Sequence, residues 1–241
     1  MKEWRDIHFA LALVMAFFVS RLMFFASGIR FFSDSVMYYI QYIDADLLKH
    51  DLLRSVFYFH YQPPLFNLML GTVLKALPEH YGAFFGLAYW VMGLAMLLSL
   101  YFLMRAMSVP KPLSAVLAGI FSISPSCAAY EKTLFYTYPI TLLLCLAALA
   151  LYKYLSTKKI FFVAAFFSLL AAIILTGSMF HLVWFLFALG AVMVRDKTAW
   201  KRVLAAAAVP FLLVAAVYIK NYAVFGIPGT SSLAGFQLAM I

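Results

Sequence analysis

Charge is scarce in this chain. Only 11% of its 241 residues are Asp, Glu, Lys or Arg, against ~25% in ordinary soluble domains. Acids are scarcer still, with nine Asp and Glu facing eighteen Lys and Arg, for a net charge of +9. The only cysteines, Cys127 and Cys145, sit in or beside apolar stretches, so no disulfide framework is indicated. There is no phosphate-cradling glycine loop, no CxxC, no HExxH and no GxSxG. Nucleotide-dependent chemistry, zinc hydrolysis and serine hydrolysis therefore lack sequence support. Short alternating segments of the kind that close a membrane barrel are missing. So are Gly/Ser linkers, low-complexity tracts and a clear internal repeat.

What is present is apolar. Hydrophobic residues make up 66% of the chain, and the mean hydropathy is +0.98. Repeated runs are long enough for a hydrocarbon core of ~30 Å. They predict spans at 8–29, 83–104, 112–128, 134–152, 160–176, 178–194 and 203–219. The fold class expected is an all-α membrane protein of about seven transmembrane helices, one membrane domain over residues 1–241. The N-terminal stretch MKEWRDIHFALALVMAFFVSRLMFF reads as the first helix. Its apolar part is long for a signal peptide, and no clean small-residue cleavage site follows.

The positive charge is clustered. Arg105 and Lys111 follow one span, Lys153, Lys158 and Lys159 another, and Arg195, Lys197, Lys201 and Arg202 a third. Such loops are topology signals that mark the cytoplasmic side, so the basic balance does not call for nucleic acid. All three fall on one side with the N-terminus if the short run 63–77 does not cross. That run opens with Pro63-Pro64, which suit a helix start. It is expected to lie at the outer surface, alongside an amphipathic helix at 35–49 with Val36, Tyr39, Ile43 and Leu47 on one face. The outer face then carries 30–82, 129–133, the turn Thr176-Gly177-Ser178 and everything after Lys220. The span interiors are read as apolar.

Six of the nine acids lie on that outer face: Asp34, Asp44, Asp46, Asp51, Glu79 and Glu131. Glu3, Asp6 and Asp196 lie inside. Asp34 follows the first span and has two readings. Either it caps the helix at 35–49, or it is an interfacial carboxylate that accepts a proton from an attacking group. Asp44-Ala45-Asp46 has the spacing of a metal-binding pair, but residues two apart on a helix point to different faces, so a solvated polar face is the plainer reading. His60 and Gln62 precede the double proline, either as part of an interfacial aromatic belt with Tyr58 and Tyr61 or as substrate contacts. Glu131 and Lys132 occupy a tight outer loop framed by tyrosines, as solvated charges or as ligands for substrate. His181 pairs between helices or meets a phosphate. Lys220 snorkels or holds an anion.

The sequence resembles the GT-C superfamily of integral-membrane glycosyltransferases, which includes protein O-mannosyltransferases and the aminoarabinose transferase of lipid A. The resemblance rests on Asp34 after the first span, on the long outer loop, and on the stretch His60-Tyr61-Gln62-Pro63-Pro64-Leu65. It also rests on the acid-bearing YEKTLFYTYP and on the ending KNYAVFGIPGTSSLAGFQLA. It covers essentially the whole chain. It implies transfer of a sugar from a polyprenyl-phosphate donor to a lipid, glycan or protein acceptor, at the outward face of a bacterial inner membrane. Asp34 would be the general base, Glu131 an orienting acid, and His60 to Gln62 the donor-contacting region. The aminoarabinose transferase has a lysine where this chain has Gln62, which moves phosphate binding toward His181, Lys132 and Lys220. Family members usually continue with further spans, which leaves truncation at the C-terminus as an open alternative. No cofactor is called for, and a divalent metal stays an open alternative. A displacement with a single base implies inversion at the anomeric carbon. Two other classes compete: a transporter or flippase for a lipid or small solute, and an assembly subunit without catalysis.

Overall fold

A computed structural model describes residues 2–233, with side chains described from residue 7 onward. Glu3, Asp6 and the part of the C-terminal motif from residue 234 fall outside the described side chains. The fold class is all-α. The helices run α1 (Lys2–Ala26), α2 (Ala45–His50), α3 (Leu52–Tyr58), α4 (Pro64–Ala76), α5 (Tyr81–Ala106), α6 (Lys111–Ile123), α7 (Pro125–Glu131), α8 (Thr137–Thr157), α9 (Ile160–Ile174), α10 (Leu182–Arg195) and α11 (Trp200–Phe225). They form two compact units, each built from two stretches of chain. The first comprises Met1–Ser35 and Glu79–Tyr152, the second Val36–Pro78 and Lys153–Ile241.

Among the described residues four helices are long and apolar enough to cross a membrane: Ile7–Ala26 of α1, then α5, α8 and α11. A fifth results if α6 and α7, bent by 57°, count as one broken span. α9 and α10 have 15 and 14 residues, short of the ~20 a full crossing takes. The surface distribution fits a lipid solvent. Met15, Leu22 and Met23 on α1, and Val209, Leu212 and Ile219 on α11, are all more than half exposed, while Arg21, Glu131 and Asn221 are wholly buried. Apolar outside and polar inside reverses the pattern of a water-soluble bundle. These are the features of a helical integral membrane protein.

In the first unit, α1, α5 and α6 pack around Leu13, Phe17, Leu97, Tyr101 and Ala118. The α6–α7 break has a local cause. Pro125 cannot continue the helix before it, and Ser124 Oγ accepts from the Cys127 N–H at 3.3 Å to start the next. In the second unit α9, α10 and α11 pack together, with Phe185 of α10 lying 5.2 Å from Phe167 and 6.1 Å from Phe211 between ring centroids. α11 ends where Gly226 takes the left-handed conformation, φ 70°, a position that suits glycine.

The Val36–Pro78 stretch of the second unit differs from expectation. No helix runs over 35–49. A 3₁₀ turn at Asp34–Met37 is followed by irregular chain, and helix resumes only at Ala45. The reason is tertiary: the Asn67 side chain accepts from the Ile43 N–H at 2.9 Å and donates to the Gln41 carbonyl at 3.2 Å. Those backbone groups are diverted from a helical ladder. Asp34 therefore caps no long helix. Asp44 is a cap instead, its Oδ1 accepting from Asp46 N–H at 2.9 Å and Leu47 N–H at 3.4 Å. Among the described residues no group of three or more His, Cys, Asp or Glu side chains is arranged for a metal. The helix expected at 63–77 is observed as α4, with proline at its start. It packs on α2 and α3 so closely that a Cβ on Gly71 would collide with the Leu52 side chain.

Candidate functional site

The site in the first unit begins with an arginine inside a span. Arg21 of α1 is fully buried, and so is its counter-ion Glu131 at the end of α7. Arg21 Nε donates to both carboxylate oxygens, at 3.0 and 3.1 Å, and Nη2 donates to Oε2 as well. Nη2 also reaches the Ser122 carbonyl at 3.1 Å, and Nη1 reaches Ser20 Oγ at 2.9 Å. The guanidinium stacks over the Phe17 ring, 4.0 Å from its centroid. Tyr138 Oη donates to Glu131 Oε2 at 3.0 Å. An ion pair without water must have its remaining donors and acceptors satisfied to be tolerated, and this one largely does. Gly93 on α5 makes room for it: a Cβ there would lie 2.8 Å from Glu131 Oε2 and 2.5 Å from Tyr138 Oη.

Two expectations are corrected here. The span interiors are not uniformly apolar, and Glu131 is not a solvated loop charge. Arg21 was missed, although an isolated arginine within an apolar run is itself a signal that a buried partner exists.

Lys132 follows Glu131 and is also largely buried. Its Nζ lies 3.9 Å from Glu131 Oε1 and 5.0 Å from the Trp90 ring centroid. Burial holds the ammonium below the usual lysine value; Glu131 opposes this, and Arg21 and Arg30 add to it. Lys132 faces a groove of about 400 Å³ lined by Phe25, Ile29, Arg30, Phe31, Leu87 and Trp90, with Gly82, Ala83 and Gly86 as its floor. The groove is apolar along its length and carries two cations, Arg30 and Lys132.

The loop after α1 is tied to the loop after α7. Phe32 N–H donates to the Lys132 carbonyl at 2.7 Å and Leu134 N–H donates to the Phe32 carbonyl at 3.0 Å. Ser35 Oγ donates to the Leu134 carbonyl at 2.8 Å. The exposed Asp34 stands between these anchors. Its neighbour Ser33 donates to Asp34 Oδ1 at 3.4 Å and lies against Gly82, where a Cβ would meet Ser33 Oγ at 2.9 Å. Asp34, Glu131 and Lys132 are thus brought into one neighbourhood beside the groove.

The other four candidates lie in the second unit. His60 Nδ1 is 3.1 Å from Ser232 Oγ, and its ring packs 4.5 Å from Phe225. Gln62 is 2% exposed, and among the described residues neither atom of its amide has a partner. Lys220 Nζ donates to the Phe57 carbonyl at 2.9 Å and to that of Phe59 at 3.5 Å, so it clamps the segment leading to His60. His181 is the residue before α10 and makes no capping hydrogen bond there. It is half-buried.

No protein family, curated protein or solved structure matches the chain. The resemblance to the GT-C superfamily stands on the quoted motifs alone.

Proposed function

We propose that the chain is a glycosyltransferase module that moves a sugar from a polyprenyl-phosphate donor to an acceptor at the outer membrane face. The support for this is the pairing of the loop after α1 with the loop after α7, the first carrying the exposed Asp34 and both contributing a cation to an apolar groove. A prenyl chain suits the apolar walls, and a phosphate suits Lys132 and Arg30, whose donors form charge-assisted hydrogen bonds to oxyanions. Asp34 accepts the proton of the acceptor hydroxyl. That oxygen bonds to the anomeric carbon as the bond from this carbon to the phosphate oxygen breaks, and the electron pair leaves on the lipid phosphate. The attack comes from the face opposite the leaving group, so configuration inverts. Glu131, engaged by Arg21 and Tyr138, orients Lys132 and does not itself meet the sugar. The second unit offers an alternative place for substrate at Gln62, whose amide has no partner among the described residues; His60 and Lys220 hold the segment around it, and His181 is a further candidate there.

Donor binding tests the groove. Lys132→Gln and Arg30→Gln are each expected to weaken binding of a polyprenyl-phosphate sugar in bilayers by roughly tenfold or more. His181→Ala serves as the comparison in the second unit. Unchanged affinity in both groove variants removes the phosphate from this site, and a loss confined to His181→Ala moves it to the second unit.

The sidedness belongs to the same proposal. With α9 and α10 counted either as two crossings or as a hairpin that enters and returns, the three basic loops share the N-terminal side, provided that α6 and α7 together cross. With Cys127 and Cys145 replaced by alanine, single cysteines at Asp46 and Tyr130 should react with an impermeant maleimide from outside, and one at Lys197 only after permeabilisation. Opposite labelling of positions 46 and 130 would overturn this topology.

One observation favours the transporter alternative. A buried ion pair inside a span and a broken helix beside it are features of transporters. Movement of labelled donor between leaflets without sugar transfer decides for that reading.

A further inference from the structure

The sugar-transfer proposal leaves the opposite end of α9–α11 unused. There the C-terminal turn of α8, the start of α9, the end of α10 and the start of α11 surround a cavity of about 490 Å³. Its polar wall is organised around Asp196. This carboxylate is largely buried and accepts from Lys158 Nζ at 2.9 Å, Tyr154 Oη at 3.1 Å and Thr198 Oγ1 at 3.2 Å. The Lys158 hydrogen bond above all, with those of Tyr154 and Thr198, holds its carboxyl below the usual carboxylate range, so it stays ionised. Asp196 fixes Lys158 at the rim. That ammonium is half-exposed and keeps donors to spare.

Arg202 lines the same cavity. Its guanidinium makes no hydrogen bond or ion pair among the described residues, and the residue is exposed, so the five donors of its planar fork are free for a ligand. Lys153, Lys159, Arg195, Lys197 and Lys201 flank the cavity in sequence and are exposed. The only acid of this region, Asp196, is already paired. The cavity is therefore a cationic pocket whose one carboxylate serves as scaffold.

Its apolar side is equally informative. Ile160 forms part of the lining and is 49% exposed, and Phe161 beside it is 72% exposed. Trp200, which opens α11, is exposed and carries the Lys201 ammonium 5.6 Å over its ring. Exposed Trp and Lys at a helix end mark the headgroup level of a bilayer. A ligand here meets cations at its head and lipid-facing apolar side chains at its tail.

We infer that this cavity binds the phosphate of an anionic phospholipid, with the headgroup between Arg202 and Lys158 and the acyl chains along Ile160 and Phe161. Basic pockets between membrane helices bind anionic lipid headgroups, and the Arg fork matches two phosphate oxygens at once. The site requires only that the chain lies in a bilayer; it is independent of sugar transfer.

The test uses the full chain in nanodiscs of dioleoylphosphatidylcholine with or without dioleoylphosphatidylglycerol. Thermal unfolding and lipid retention in native mass spectra are the readouts, neither of which depends on catalysis. Phosphatidylglycerol should raise the unfolding temperature and be retained preferentially. Arg202→Gln, an exposed position whose change leaves the core intact, should lower that preference about fivefold or more, while Lys75→Gln should leave it unchanged. Equal retention by the parent and Arg202→Gln overturns the assignment. Stabilisation by millimolar inorganic phosphate in pure phosphatidylcholine, with no gain from phosphatidylglycerol, overturns it in favour of a soluble anion.

Discussion

Asp34→Asn is expected to reach the membrane normally and to lose most sugar transfer, by roughly 10²–10⁴-fold, the usual contribution of a general base. The structure makes this a clean substitution. Asp34 is exposed, it caps no long helix, and among the described residues its side chain takes one hydrogen bond, from Ser33 at 3.4 Å. An amide oxygen accepts that bond equally well. The neighbouring anchors, Phe32 and Ser35, hold the loop through groups that the substitution does not touch. Transfer of labelled sugar from polyprenyl phosphate in bilayers is the measurement, with Asp44→Asn and Asp46→Asn as comparisons. Asp44→Asn keeps a good capping side chain, so both should retain near-parental rates. Full activity in Asp34→Asn would end its assignment as base. Unchanged donor affinity with lost transfer would separate the proton-accepting step from the phosphate groove.

Glu131→Gln is expected to fail for a different reason. It removes the counter-charge of a guanidinium that has no access to solvent. Breaking a buried pair on one side typically costs about 3–5 kcal/mol, because the remaining charge is stranded. Removing both charges is milder, since no unpaired charge is left buried. So Glu131→Gln and Arg21→Met should each lower the unfolding temperature strongly, and the double variant should recover much of the loss. The double-mutant cycle then reports a large coupling energy. A Glu131→Gln protein with parental stability and no sugar transfer would contradict this, and would return Glu131 to direct contact with substrate. The 3.9 Å separation of Lys132 Nζ from Glu131 adds a second readout. The folded fraction of the double variant should bind donor more weakly, because Lys132 has lost the carboxylate that orients it.

Periodicity and composition alone determined the helical class, the main apolar spans and the start of α4 at the double proline. Each depends on a property that resides in a local run of residues: the length of apolar chain that matches a bilayer, or the fixed φ of proline. The amphipathic pattern at 35–49 was legible too but misleading. Its apolar residues are buried in part, Val36 and Ile43 among them, yet Asn67 captures the backbone that a helix would have used. A side chain twenty-four residues away from Ile43 is invisible to a local pattern.

The same holds with more force for the charged centre. An arginine at position 21 announces that some partner must exist, but nothing in the run around it says which. Only the packing of α1 against the broken α6–α7 pair selects Glu131, 110 residues away. That choice turned a supposed loop acid into the buried half of an ion pair and left Lys132, with Arg30, among the residues lining the groove. The tertiary structure decided it because a charge removed from water takes whichever opposite charge the fold delivers to it, and contacts that distant in sequence are settled by helix packing rather than by neighbours along the chain.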